Sequence, residues 1–148
     1  MVNRMNLIEG LNIEYIFVDA DKLEAKMNLT QFHSQAFGIL HGGAVISFGE
    51  TVAGYASNQI TDKDQVAIGQ TITANHMKSK KIEGYITAKG KLMHKGKTSH
   101  VWGIEMHDEN NVLISYMTVV NAIVKLNKSQ TEGLLSSTLN TRQFDLLE

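Results

Sequence analysis

The sequence predicts an α+β domain in which an antiparallel sheet of about six strands wraps around one long helix. Segments with the alternation and β-rich composition of strands occupy most of residues 11–29 and 65–124. Between them, residues 43–56 form an apolar stretch with a single charge, which predicts a helix reaching to about Gln59. An antiparallel sheet must cover its apolar face, and this helix is the simplest cover that the chain offers.

The composition is that of an ordinary globular protein. The chain has 148 residues, 43% hydrophobic and 20% charged, which suits one domain with a hydrophobic core. The net charge of −1 gives no overall field that favours nucleic acid or an anionic membrane. No apolar run reaches the ~18 residues of a membrane span, and Glu9 interrupts the region that a signal peptide needs apolar. We therefore expect a cytoplasmic protein with neither nucleic acid nor membrane as partner.

Six segments carry the strand pattern, and these are residues 11–18, 22–29, 65–77, 83–93, 98–107 and 112–124. The turn Asp19-Ala-Asp21 predicts that the first two form a hairpin. The last four follow one another with hairpin spacing, and Asp108-Glu-Asn-Asn111 is the clearest turn among them. The final segment is the longest and most apolar, so we predict that it is central in the sheet. Free sheet edges make pairing with a second copy a natural expectation.

The other segments are a lead, a loop and a tail. The lead is predicted to hold one or two helical turns ended by Gly10, and residues 30–41 are predicted to form a loop. Ser129 is placed to cap a short helix in the tail. Residues 136–148 are weakly patterned and expected to be mobile.

The helix start can do chemistry because Gly42 and Gly43 leave their N–H groups open to approach. The first N–H groups of a helix lack internal partners and carry partial positive charge. Such groups can hold an anion or polarise a carbonyl oxygen. His41 and the glycines can equally form no more than a tight entry into the helix, so both interpretations are open.

Glu50 is the carboxylate inside the apolar stretch. It lies eight residues after Gly42, more than two helical turns, so a shared ligand must lie along the helix or a neighbouring chain must complete the site. Burial would raise the pKa of the Glu50 carboxyl, as suits a general base, but an unpaired buried carboxylate is costly. The alternative is a glutamate that faces solvent.

Three further polar residues flank these positions. Gln35 can donate to a carbonyl oxygen or position water, and His41 can do the same. His76 follows Asn75 at a strand end and has the same two possibilities. For a lone histidine, satisfying backbone groups is the commoner role.

The segment Lys95-Gly-Lys-Thr98 is basic, but it is not a phosphate loop. Gly90 and Gly96 are separated by five residues where that motif needs four, and the segment joins two strands. A basic hairpin turn is the preferred interpretation. The lysines of this region can offer charge to a phosphorylated ligand or form a solvated edge, and they are Lys78, Lys80, Lys81, Lys95 and Lys97.

Several catalytic classes lack their motifs here. The chain has no cysteine, which excludes disulfides, thiolate zinc sites and cysteine nucleophiles. The six histidines show no H-E-x-x-H spacing, and a G-x-S-x-G elbow is missing. We predict neither a metal nor a cofactor.

The pattern Gln35-x-Phe-Gly-x-Leu-His-Gly-Gly43, followed by Glu50 on the helix, resembles the hotdog-fold thioesterases. The similar branch includes phenylacetic-acid-pathway, 4-hydroxybenzoyl-CoA and menaquinone-pathway naphthoyl-CoA thioesterases. The resemblance covers about residues 11–124 and leaves 125–148 as a tail. It implies hydrolysis of an acyl- or aryl-CoA thioester by a homodimer that pairs into a tetramer. Further matching positions are Asn75-His76, Gly96, Val101-Trp102-x-Ile-Glu105 and Asp108-Glu109.

The resemblance implies roles for individual residues. Glu50 is similar to the catalytic carboxylate, which acts as nucleophile or as base for water. Gly42 matches the residue whose N–H polarises the thioester carbonyl, and Gln35 and His41 match positions near that carbonyl. In this fold the carboxylate comes from one subunit while the residues matching Gln35 and Gly42 face it from the partner.

A second set of positions is expected to bind the rest of the substrate. It comprises Gly43, Gly54, His76 and Lys95, Gly96, Lys97 and Thr98, the last four lying where relatives hold the nucleotide part of coenzyme A. Many relatives carry Ser or Thr at the position of Gly54, where the hydroxyl can orient water, and Thr51 and Ser57 are not at that spacing. An acyl-CoA sensor with little hydrolysis is the alternative. A dehydratase on the same fold would need a different His-plus-acid motif.

Overall fold

The computed structural model describes residues 5–133 and has the predicted architecture of one antiparallel sheet and one long helix. The elements in chain order are α1 (Leu7–Leu11), β1 (Ile13–Val18), β2 (Lys22–Asn28), a 3-10 turn (Gln31–His33), α2 (Gly42–Asn58), β3 (Gln65–His76), β4 (Tyr85–Lys95), β5 (Ser99–His107) and β6 (Leu113–Lys125). Each strand lies within about two residues of its predicted bounds.

The strand order is β1-β2-β4-β5-β6-β3, so the prediction that β3 and β4 form a hairpin is wrong. β3 pairs instead with β6, from Gln65 opposite Lys125 to His76 opposite Ser115. The connection of residues 77–84 reaches up to ~26 Å when extended, more than the ~14 Å of three strand spacings. It can therefore carry the chain across β6 and β5. β6 is paired on both sides, but β4 and β5 occupy the centre, where β6 was predicted.

The core lies between α2 and the face of the sheet that it crosses. Four α2 residues spaced three or four apart are buried against the sheet: Val45, Phe48, Val52 and Ala56. The predicted alternation in the strands is confirmed by fully buried side chains, among them Met27, Ile86, Ala88, Trp102, Ile104 and Met106. Burying a large apolar side chain contributes about 1.5–3 kcal/mol. These contacts fix the rotation of α2 about its own axis.

β3 forms one edge of the sheet and bears directly on the site. Its 12 residues bond to β6 on one side, and the other side has no strand partner within residues 5–133. The register shifts between Gly69 and Thr71, which places a bulge at Gln70. A long free edge of this kind is a template for pairing with another chain.

The lead and the tail differ in detail from the prediction. α1 continues through Gly10 to Leu11 and ends at Asn12, which adopts a left-handed conformation with φ 56°. Asn127, not Ser129, caps the helical residues that start at position 128, because its Oδ1 accepts from the Gln130 N–H at 2.9 Å. The prediction for residues 136–148 lies outside the described residues. In the part of the chain that is described, no helix has the length and apolarity to cross a membrane.

Two glycines in the middle of α2 give opposite predictions for the same substitution. A side chain at Gly49 would run into the sulfur of Met117 and lie 3.2 Å from a methyl group of Met106, whereas Gly54 has open space around it. We expect Gly49→Ala to lower the free energy of unfolding by about 1–3 kcal/mol through overpacking. Gly54→Ala should raise it by about 0.5–1 kcal/mol through helix propensity. Urea denaturation of both variants checks this, and equal effects would contradict the assigned packing of α2.

Candidate active site

The start of α2 is held by His41, which occupies the N-cap position in an extended conformation. The His41 Nδ1 atom accepts a hydrogen bond from the Gly43 N–H at 2.8 Å. The expectation that both glycine N–H groups are open is therefore wrong for Gly43. The Gly42 N–H makes no hydrogen bond within the described residues, so it is the open donor at the positive end of the helix.

Gly42 is a glycine because His76 lies against it. A Cβ atom at position 42 would lie 2.8 Å from the His76 Nε2 atom. The His76 Nδ1 atom contacts the Ser115 Oγ at 2.9 Å, and that hydroxyl donates its proton to the Asn75 carbonyl at 3.0 Å. Because the serine has one proton, Nδ1 must be the donor to Oγ, which leaves the lone pair of neutral His76 on Nε2.

A cavity of about 230 Å³ opens beside this contact. Its wall includes Gly42, Val45, His76, Lys78 and Ser115. The structure thus brings together two residues that were predicted from separate parts of the chain, Gly42 and His76.

Gln35 lies in the loop before α2, and its side chain folds back onto that loop. The Gln35 Oε1 atom accepts from the Phe37 N–H at 2.8 Å, and the backbone turn is closed by the Gln35 N–H bond to Ile39 O at 2.9 Å. Because Oε1 is engaged, the amide Nε2 group carries the two open donors. This orientation suits donation to a carbonyl oxygen.

Glu50 is exposed, so of the two alternatives left open by the sequence the glutamate that faces solvent is the one found within one chain. Its carboxylate lies against Gly69 of the edge strand β3, where any side chain would collide with Oε1. It makes no hydrogen bond or ion pair with the residues the structure describes. Eight residues of helix correspond to a rise of ~12 Å, so a single chain does not bring Glu50 and Gly42 to one point.

The helical turn after Glu50 offers no hydroxyl to the same face. Gly54 lies there with open space around it. The Thr51 hydroxyl donates to the Ser47 carbonyl at 2.7 Å, and Ser57 is buried against the sheet. The structure therefore agrees that neither Thr51 nor Ser57 replaces the missing Ser or Thr.

A second cavity of about 380 Å³ lies between the C-terminal end of α2 and the β4–β5 turn. Lys95, Gly96 and Lys97 line it as a group, whereas Thr98 does not. The other predicted lysines lie elsewhere. Lys80 is not a free charge, because its ammonium pairs with Glu109 at 2.9 Å and donates to Glu83 O at 2.6 Å.

The same cavity is lined by His100, a residue that the sequence analysis missed. The Ser57 Oγ atom accepts from Trp102 Nε1 at 2.9 Å and from Asn121 Nδ2 at 3.0 Å. With both lone pairs used, the serine proton must go to His100 Nδ1 at 3.1 Å, so neutral His100 carries its proton on Nε2. Burial, and secondarily the charges of Lys95 and His94, hold the pKa of His100 below its ordinary value.

A signal for His100 was present in the alternation of β5. His100 precedes Trp102 by two residues, and the alternation of β5 puts Trp102, Ile104 and Met106 on one face, which the structure buries. Extending that face by one step places a histidine in the core, where its polar atoms need partners.

Comparisons with known proteins give the class. A family model described as the thioesterase superfamily matches residues 37–115. The chain is 32% identical over 124 residues to 1,4-dihydroxy-2-naphthoyl-CoA hydrolase of Listeria monocytogenes, covering 84% of this chain and 100% of that protein. It is 34% identical over 119 residues to the Escherichia coli hydrolase of the same name, covering 80% and 87%. A solved thioesterase of Staphylococcus aureus, a Gln-to-Ala variant, aligns with a TM-score of 0.76 at 32% identity, covering 79% and 97%.

The fold and these relatives define a hotdog-fold enzyme that hydrolyses acyl-CoA thioesters. The chain belongs to the thioesterase superfamily. The family and fold expected from the Gln35–Glu50 pattern are thereby confirmed.

The hydrogen-bond directions predict opposite tautomers for two histidines. In the uncharged form of each imidazole, observed at about pH 8 and thus above the ordinary histidine pKa, we expect the proton of His76 on Nδ1 and that of His100 on Nε2. Long-range ¹H–¹⁵N spectra distinguish these forms. His33 is an internal standard for the Nε2 form, because its Nδ1 accepts from the Thr30 N–H at 2.9 Å and its Nε2 bonds to Leu11 O at 3.0 Å. The same tautomer at both sites would contradict the assignment.

Proposed function

We propose that the enzyme hydrolyses an acyl- or aryl-CoA thioester to the free acid and coenzyme A at a site formed by two copies of the chain. The Gly42 N–H polarises the thioester carbonyl, and the Gln35 amide donates to the same oxygen. Glu50 of the second copy attacks the carbonyl carbon or activates water. The separation of the open Gly42 donor from the unpartnered Glu50 carboxylate within one chain carries this proposal.

The free edge of β3 supports a two-copy site. Glu50 lies over Gly69 in the first half of β3, and His76, which contacts Gly42, ends the strand. Antiparallel pairing of two β3 edges about a two-fold axis sets the first half of one strand against the second half of the other. Glu50 of one copy is thereby carried toward Gly42 of its partner. That such dimers pair into tetramers remains a prediction from the resemblance.

The chemistry fits the groups that are available. A thioester carbonyl gains negative charge as it is attacked, and an N–H donor aimed at that oxygen typically contributes about 3–4 kcal/mol to the transition state. Gly42 supplies such a donor at the positive end of α2, with no side chain in the way. His76 and Gly43 shape the same helix start, the first through its contact with Gly42 and the second through the His41 cap.

The solved relatives add a correspondence of spacing. The Staphylococcus aureus protein was solved with one glutamine and, separately, one glutamate replaced by alanine, and those two residues lie 15 positions apart. Gln35 and Glu50 have the same spacing. This supports assigning both residues to one site.

The remainder of the substrate is assigned to the basic cavity. Lys95 and Lys97, with Gly96 between them, offer positive charge for the phosphates of coenzyme A. Gly54 leaves room beside Glu50 for substrate or water. A cytoplasmic location stays a prediction.

Replacing Glu50 tests the catalytic assignment. We expect Glu50→Gln to lower kcat for a panel of CoA thioesters by about 10²–10⁴-fold, because the amide is neither base nor nucleophile. Free thiol release measures the rate. The control is Glu14→Gln, which neutralises an exposed carboxylate on β1 that pairs with Lys26 at 3.4 Å and accepts from Asn28 Nδ2 at 3.5 Å. Near-normal turnover by Glu50→Gln would reject the assignment, and tight CoA-ester binding by the native protein without thiol release would favour a sensor.

Mixed oligomers test whether two chains share one site. A Glu50→Gln chain and a Gln35→Ala chain, co-expressed with different tags, form mixed dimers in which one site keeps both native residues. Random mixing should restore about a quarter of the native activity through this isologous geometry. Each variant alone supplies the baseline. If the mixture only averages the two separate activities, the site lies within one chain.

A further inference from the structure

We propose that His100 binds a phosphate oxygen of the substrate as a neutral hydrogen-bond donor in the cavity between the end of α2 and the β4–β5 turn. This rests on the proposed function, because coenzyme A supplies the phosphates. The proposal adds His100 to the lysines that contact the phosphate, and because His100 is held in the core, the direction of its hydrogen bond is fixed.

The first observation is that His100 is buried yet reaches the cavity. The residue has 2% of its surface exposed, and it lines the cavity of about 380 Å³. Its Nδ1 atom is committed to Ser57, while Nε2 has no partner in the described part of the chain. Because Nε2 stays accessible to solvent at the cavity, an acceptor that enters the cavity can take its hydrogen bond in place of water.

The second observation is that the surrounding network sets the polarity of His100. Trp102 and Asn121 fill both lone pairs of the Ser57 oxygen, so Nδ1 must accept and Nε2 must donate. A ligand at this end of the cavity therefore has to present an acceptor. A phosphate oxygen is a strong one, because it is charged.

The third observation is the charge around the cavity. Lys95 and Lys97 line it, with His94 close enough to act on His100, and Asp62 is the carboxylate among its lining residues. The two ammonium groups outweigh that carboxylate and favour an anion. Lysines are flexible point charges that attract the phosphate without orienting it. His100 is held at Nδ1, so it fixes the direction of its hydrogen bond to the phosphate.

The test compares two substrates with the same acyl group, the CoA thioester and the pantetheine thioester that lacks phosphate. We expect His100→Leu to raise KM for the CoA thioester about tenfold or more, the value of one hydrogen bond to a charged group. The KM for the pantetheine thioester should change less than twofold. His100→Gln should retain most of the CoA preference, because its amide can accept from Ser57 and donate to the cavity. The matched control is His107→Gln, which alters a histidine of the same strand that contacts Glu105 and lies outside the cavity lining.

A second measurement uses only the native protein, so its result does not depend on whether the variants fold. Adenosine 3′,5′-bisphosphate, which has no thioester, should shift the His100 Nε2–H signal of the native protein and leave the His33 signal unchanged. Equal rises in KM for both substrates, or an unmoved His100 signal at saturation, would overturn the proposal. Failure of the proposed function looks different, because the native protein would then hydrolyse neither thioester while the bisphosphate titration still reports on His100.

Discussion

The packing of α2 against the sheet is the interaction on which the rest of this structure depends. Its buried stripe of Val45, Phe48, Val52 and Ala56 sets the rotation of the helix, and Gly49 allows Met117 to approach its backbone closely. With that stripe fixed, the 3.6-residue period leaves Glu50 and Gly54 on another side of the helix. The same contact that forms the core thus presents a carboxylate at the sheet edge.

Near the two ends of α2 lie two histidines with opposite tautomers, His76 of β3 and His100 of β5, and the tautomer of each is set by a serine. Ser115 donates its proton to a carbonyl, so His76 must donate from Nδ1 to the serine oxygen. The lone pair on Nε2 then faces Gly42. Ser57 accepts from two donors and so obliges His100 to accept, leaving an N–H toward the basic cavity. A neutral imidazole becomes acceptor or donor according to the hydroxyl behind it.

The free edge of β3 connects the geometry of the site with the formation of the dimer. Within one chain the Glu50 carboxylate lies against β3, whose outer edge has no strand partner in residues 5–133, although the Asn58 side chain bonds to the N–H and C=O of Ala67. Pairing of that edge and completion of the site are then one event in the proposed dimer. In that dimer activity and oligomeric state are coupled through β3, since Gly69 in its first half lies against Glu50 and His76 at its end lies against Gly42.

The sequence by itself determined the elements and the family, because these depend on local patterns. Alternation placed the strands, the uncharged run placed α2, and the spacing from Gln35 to Glu50 indicated a thioesterase. Only the tertiary structure decided that β3 pairs with β6, that Gly43 is capped while Gly42 stays open, and that Glu50 is exposed in one chain. Each of these depends on a partner distant in sequence or on the direction of one hydrogen bond. The role of His100 likewise required three residues that only folding brings together, Ser57, Trp102 and Asn121.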